Sequence, residues 1–154
     1  MKSNPQNVSD AVVEKIVHIK APPETVFDYF CEPELMLKWQ GIEAELEPQP
    51  GGVYRVQMDP KNVALGKYLE IDRPRRVVFS FGWVGGENVP PEASRVEITL
   101  SPDESGEGTH LRLAHFLLPE PQRHLHKEGW DFFVGRLVVA AEGGDPGPYR
   151  ENGG

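Results

Sequence analysis

Apolar and polar residues alternate through much of the chain. Val96, Ile98 and Leu100 are interleaved with Arg95, Glu97 and Thr99, and Leu111 and Leu113 with His110 and Arg112. A period of two sends alternate side chains to opposite faces of a strand, so these segments predict an antiparallel sheet with one dry face. Six strands are predicted in succession: Ile42–Glu47, Val53–Met58, Val63–Ile71, Val77–Trp83, Arg95–Ser101 and His110–Leu117. Turn residues separate them, as in Gln49-Pro50-Gly51-Gly52 and Asp59-Pro60-Lys61-Asn62. A further strand, Val12–Ile19, precedes a broken helix. Pro22-Pro23-Glu24 opens its first part, whose apolar face is Val26, Phe27 and Phe30, and Pro33 stops it and starts a second piece over Glu34–Trp39.

The period changes once more near the end. Across Gln122–Ala141 the residues His126, Trp130, Phe133, Leu137 and Ala140 recur at steps of four and three, with Val134 and Val138 widening the stripe. That spacing predicts one long amphipathic helix, stopped by Gly143-Gly144. The order is therefore one strand, two short helices, six strands and a long helix. It predicts an α+β fold in which a curved antiparallel sheet holds the C-terminal helix. Residues 1–10 and 142–154 are polar or Gly/Pro-rich and are expected to be disordered tails around a single domain over 11–141.

Composition narrows the function classes. The 154 residues carry a formal charge of −8, a poor match to nucleic acid or an anionic membrane. Arg73, Arg75 and Arg76 form the densest basic cluster and read as a solvated hairpin tip. The lone Cys31 has no disulfide partner, and without cationic neighbours it reads as an inert thiol. The first residues lack the apolar run of a secretory signal, so the expected location is the cytoplasm. His124 and His126 are two apart on a helix and face different ways. With no His-Glu-x-x-His pattern, no metal is expected, and the absence of phosphate-binding glycine loops argues against a nucleotide cofactor. No serine sits in a nucleophile motif.

Three segments carry a family resemblance: Ile19-Lys20-Ala21-Pro22-Pro23-Glu24-Thr25-Val26-Phe27 with Pro33-Glu34-Leu35 and Lys38-Trp39; Gly66-Lys67-Tyr68-Leu69-Glu70-Ile71-Asp72-Arg73-Pro74-Arg75-Arg76-Val77-Val78-Phe79; and His126-Lys127-Glu128-Gly129-Trp130 running into Leu137. In this order and spacing the chain resembles the helix-grip fold of the START/Bet v 1-like (SRPBCC) superfamily. Within it, the residues look like the family related to the C-terminal domain of the activator of heat-shock-protein-90 ATPase.

The resemblance implies a hydrophobic cavity between sheet and long helix. The ligand it implies is a small apolar molecule, lipid-, sterol- or polyketide-like, and the family name adds a chaperone-linked protein partner as an alternative. Phe27, Phe30, Tyr54, Met58, Phe79, Phe81, Trp83, Trp130, Phe133 and Leu137 supply the bulk for such a wall or for an ordinary core. His115 shares strand parity with Leu111, Leu113 and Leu117. It reads either as a buried histidine satisfied by a backbone carbonyl or as a polar anchor or acid/base group. In the enzymatic alternative, a cyclase or hydratase, Tyr54 or Tyr68 would assist it.

Gly129 and Gly135 weaken the helix by about 1 kcal/mol each. Close packing on the sheet is the expected reason at Gly135, and at Gly129 that reason and room for a ligand or hinge at a cavity mouth both stay open. The segment 85–93 is expected to be either a flap over the entrance or a loose connection. Monomer and homodimer both remain open, the latter through edge pairing of a strand such as Val53–Met58.

Overall fold

In the computed structural model, residues 11–147 are described. The elements are β1 (Ala11–Ile19), α1 (Pro23–Asp28), α2 (Pro33–Met36), β2 (Glu43–Leu46), β3 (Val53–Gln57), β4 (Val63–Asp72), β5 (Arg76–Phe81), β6 (Ser94–Pro102), β7 (Thr109–Phe116) and α3 (Glu120–Ala141). The seven strands form one sheet in the order β1-β7-β6-β5-β4-β3-β2, and every neighbouring pair is antiparallel. This is a helix-grip α+β fold, with α3 lying against the inner face of the sheet.

Alternation builds that inner face. Tyr54 and Val56 of β3, Ala64 and Tyr68 of β4, Phe79 and Phe81 of β5, Val96, Ile98 and Leu100 of β6 and Leu111 and Leu113 of β7 are all buried. The register aligns Phe79, Val96, His115 and Val13 in one row across four strands. A bulge between Tyr68 and Glu70 shifts the β4–β5 register, and such an extra residue bends a strand and sharpens its twist. Gly66 lies beside it; a Cβ there would meet the Ser80 carbonyl oxygen, so only glycine permits this approach of the two strands.

The short helices close one end. Pro23 and Pro33 each occupy a first helical turn, where their missing N–H costs nothing. Phe27 and Phe30 are buried there, and the Tyr68 hydroxyl donates to the Phe30 carbonyl oxygen at 2.8 Å. Trp39 donates its indole N–H to the Tyr29 carbonyl, and the Tyr29 hydroxyl donates to that of Ala140, joining this end to α3.

Several expectations change. The turn at Arg73–Arg76 is not simply a solvated tip: Arg73 pairs with Asp28 of α1 and lies over the Phe27 ring at 4.8 Å. β5 ends at Phe81, yet contact with β4 continues beyond it: the Leu65 N–H donates to the Gly82 carbonyl and Trp83 bridges Ala64, while the Pro90 carbonyl oxygen comes so close to Gly82 that only glycine fits there. β7 ends at Phe116; Leu117 has φ 70° and is 61% exposed, since the left-handed step turns the chain out of the sheet towards α3. β3 lies between β2 and β4, so its edges are already paired and it cannot join two copies. The segment 85–93 is pinned by buried Val89, whose carbonyl accepts the backbone N–H of Trp83 at 2.8 Å.

The expected tails over 1–10 and 148–154 lie outside the described residues. Residues 142–147 follow α3 closely: Arg136 donates to the carbonyls of Trp39, Pro146 and Gly147. No helix among the described residues is long and apolar enough to cross a membrane.

Candidate functional site

The buried positions of α3 are unevenly distributed. Trp130, Phe133, Val134, Leu137, Ala140 and Ala141 are buried, whereas none of the residues from Glu120 to Gly129 is. In that first half the inward stripe is occupied by Gln122, His126 and Gly129, which do not fill the space that a Leu or Phe would. A cavity of about 500 Å³ opens there between helix and sheet. Its apolar wall is Met58, Phe81, Trp83, Leu125, Trp130 and Phe133, and its polar wall is Gln40, Asp59, Asn62, Gln122 and His126. The volume falls in the range of small-molecule sites, roughly 300–1,000 Å³.

Two tryptophan–histidine pairs fix the wall, with His115 the one member behind it. Trp130 Nε1 donates to His115 Nδ1 at 3.0 Å, and Trp83 Nε1 donates to His126 Nε2 at 3.1 Å. An indole N–H only donates, so each accepting nitrogen is unprotonated. The remaining proton of each imidazole is then fixed. His115 Nε2–H donates to Ser94 Oγ at 2.8 Å, and that hydroxyl donates to the Phe81 carbonyl at 2.7 Å. His126 Nδ1–H donates to the Gln122 carbonyl at 2.8 Å. Both rings are thus neutral and fully bonded. Burial pulls the His115 pKa down to about 3, aided by neighbouring His126. It lowers His126 too, against the opposing effect of its bond to Gln122.

The other polar groups of the wall differ in how well they are satisfied. Asp59 accepts from the Asn62 side chain and from the backbone N–H groups of Lys61 and Asn62. Gln40 is 1% exposed, and its Oε1 is buried with no hydrogen-bond partner among the described residues. No lysine or arginine lines the cavity. Among the described residues no group of three or more His, Cys, Asp or Glu is arranged to hold a metal ion. Cys31 is a buried free thiol whose pKa burial pushes up to about 12.

Of the eleven residues singled out in the sequence, Met58, Phe81, Trp83, Trp130 and Phe133 line the cavity. Phe27, Phe30, Tyr54, Phe79 and Leu137 are buried in the core away from it, with Tyr54 stacked on Phe79 at 4.0 Å. His115 lies one layer behind the wall, bonded to Trp130, and its partners are the side chains of Ser94 and Trp130 in place of the backbone carbonyl of the first of its two readings. The phenols of Tyr54 and Tyr68 are raised by burial, and neither residue lines the cavity. Close packing does not explain the helix glycines: a Cβ at Gly129 or Gly135 would find no atom within 4 Å. Gly129 lines the cavity, and Gly135 faces outwards.

Sequence reasoning missed Gln40, Asp59, Asn62, Gln122, Leu125 and His126 as wall residues. A signal existed for Gln122 and His126, which put polar groups on the inward stripe of α3. None existed for Gln40, in the turn after α2.

A model of the activator of Hsp90 ATPase homolog 1-like protein family matches residues 20–142. The chain belongs to that family. Among solved structures, it is 43% identical to an AHSA1-like protein from Rhizobium etli, with a TM-score of 0.70 over 91% of this chain and 89% of that one. A protein of the dynemicin biosynthetic locus is 26% identical with a TM-score of 0.76 over 89% of this chain; the match spans about half, 49%, of that longer protein. An Hsp90 activator from Plasmodium falciparum is 19% identical with a TM-score of 0.66 over 82% of this chain and 93% of that one, a likeness of fold alone. No curated protein matches the chain.

Proposed function

We propose that this AHSA1-like protein binds a small, largely apolar molecule in the cavity under the first half of α3 and does not transform it. The observation that carries the reading is the cavity itself: about 500 Å³, walled by Met58, Phe81, Trp83, Trp130 and Phe133. An adaptable thioether and four aromatic faces suit a ligand held mainly by burial and ring contacts. The two histidines support a binding role over a catalytic one. A general acid or base must reach the reacting group with a proton site to spare, and both nitrogens of His115 and of His126 are occupied by protein partners.

A thermal-shift panel of fatty acids, sterols, aromatic polyketides and flavonoids tests the reading. A ligand at about 100 times its dissociation constant adds about 2.7 kcal/mol, which is about 5–10 °C for a domain of this size. A selective shift by one class is the expected result. A flat panel with a cooperatively melting protein would remove the cavity as the functional site.

A second reading, a partner-binding module, is favoured by one observation. Leu125, Phe132 and Val139 recur every seven residues on α3 and are all exposed. Capture of a stoichiometric partner that Phe132→Asp abolishes would support it.

A further inference from the structure

The apolar walls set the size and shape of what fits, but one wall group also specifies a chemical feature. Most of the buried polar groups around the cavity are already engaged. The indoles of Trp83 and Trp130 donate to histidines, His126 is bonded at both nitrogens, and Asp59 is held by Asn62 and backbone N–H groups. Gln40 is the wholly buried exception: its Oε1 has no partner among the described residues, whereas the half-buried Gln122 keeps access to water. Leaving such an acceptor unpaired costs the free protein, and a ligand that supplies a donor recovers that loss. The terminal amide torsion of glutamine is broad, so the oxygen can turn to meet a donor without leaving a favoured side-chain conformation.

Charge excludes the other common anchor. A carboxylate or phosphate ligand needs a cation or converging N–H groups, but no Lys or Arg lines this cavity and Asp59 does. We infer that the ligand is an uncharged aromatic hydroxyl compound, with its rings among Phe81, Trp83 and Trp130 and its hydroxyl donating to Gln40 Oε1. This deepens the cavity-binding proposal and rests on it.

Calorimetric titration of the full chain with three matched probes tests the inference: 2-naphthol, 2-methoxynaphthalene and naphthalene-2-carboxylate. The expected result is that 2-naphthol binds about fivefold or more tightly than its methyl ether, the worth of one ordinary hydrogen bond, and that the carboxylate is weakest. Gln40→Leu should reduce the naphthol-to-ether ratio to near one. It should not lower the melting temperature of the free protein, because it removes a buried unpaired acceptor. Equal binding of naphthol and ether by the unaltered protein would overturn the role of Gln40 while leaving the cavity a binding site. Carboxylate binding as tight as naphthol would overturn the exclusion of anions. Failure of all three probes to bind would overturn the aromatic-cavity reading and this inference together. The probe comparison on the unaltered protein decides the matter even if the variant does not fold.

Discussion

The two halves of α3 face the same sheet and treat it differently. From Trp130 to Ala141 the helix buries six side chains, which join Phe27, Phe30, Tyr54, Tyr68 and Phe79 in one buried core. From Glu120 to Gly129 it buries none, and a cavity of about 500 Å³ takes the place of a core. The difference is one of side-chain volume on the inward stripe. Leu137, Val134 and Phe133 reach the sheet, whereas Gln122, His126 and Gly129 leave the facing aromatics uncovered. One half of the helix therefore supplies stability, and its other half keeps Phe81, Trp83 and Trp130 available to a guest. A close-packed half gives the open half a rigid wall.

Breaking the filled half should have the largest effect. Leu137→Ala removes a fully buried side chain and is expected to cost about 3 kcal/mol of unfolding free energy in urea titration, within the usual range for such a truncation. A loss below about 1 kcal/mol would mean that this half is not close-packed.

The pH dependence probes the junction, where His115 sits behind Trp130. Its folded pKa of about 3 lies below the ordinary value of about 6.5. Sites depressed in this way stabilise the fold fully above pH 6.5, and that contribution is lost as the pH falls from there towards 3, because the unfolded chain takes up the proton first. His126 is shifted in the same direction. Stability measured at pH 7, 6 and 5 should fall by about 1.4 kcal/mol per pH unit for His115 once below its unfolded pKa, with a further loss in the same direction from His126. His115→Gln should flatten the slope, and an unchanged slope would contradict the neutral, enclosed imidazole.

The two helix glycines sharpen the contrast, since both have open space where a Cβ would go. Gly129→Ala and Gly135→Ala should each stabilise the helix by about 1 kcal/mol. Only the first puts a methyl group into the cavity wall, so only Gly129→Ala should alter ligand affinity. The smallest stability effect belongs to Leu125, which is 59% exposed at the open half. Leu125→Ala should change stability by less than about 0.5 kcal/mol while weakening binding of any apolar ligand found in the panel.

The element order was legible because alternation and the helical stripe are strong periodic signals. Boundaries drifted where a single backbone event intervened, as at Gly82 and Leu117, which periodicity does not register. The cavity was only half legible. Phe79 and Phe81 share one strand face and one residue type, yet Phe79 is covered by Tyr54 while Phe81 meets the opening. Nothing in their own strand distinguishes them; the polar and small residues at 122, 126 and 129, far along the chain from this strand, leave Phe81 uncovered. Gln40 itself gains meaning only from what does not bond to it.

Indole N–H signals give the most direct test of the open half, because the three tryptophans are divided between the regions. Trp83 and Trp130 line the cavity, and Trp39 lies in the closed end with its N–H on the Tyr29 carbonyl. In a two-dimensional ¹⁵N–¹H spectrum titrated with 2-naphthol, or with any compound that raises the melting temperature, the signals of Trp83 and Trp130 should move and that of Trp39 should stay. A bound ligand that shifts Trp39 and leaves the other two in place would contradict the account.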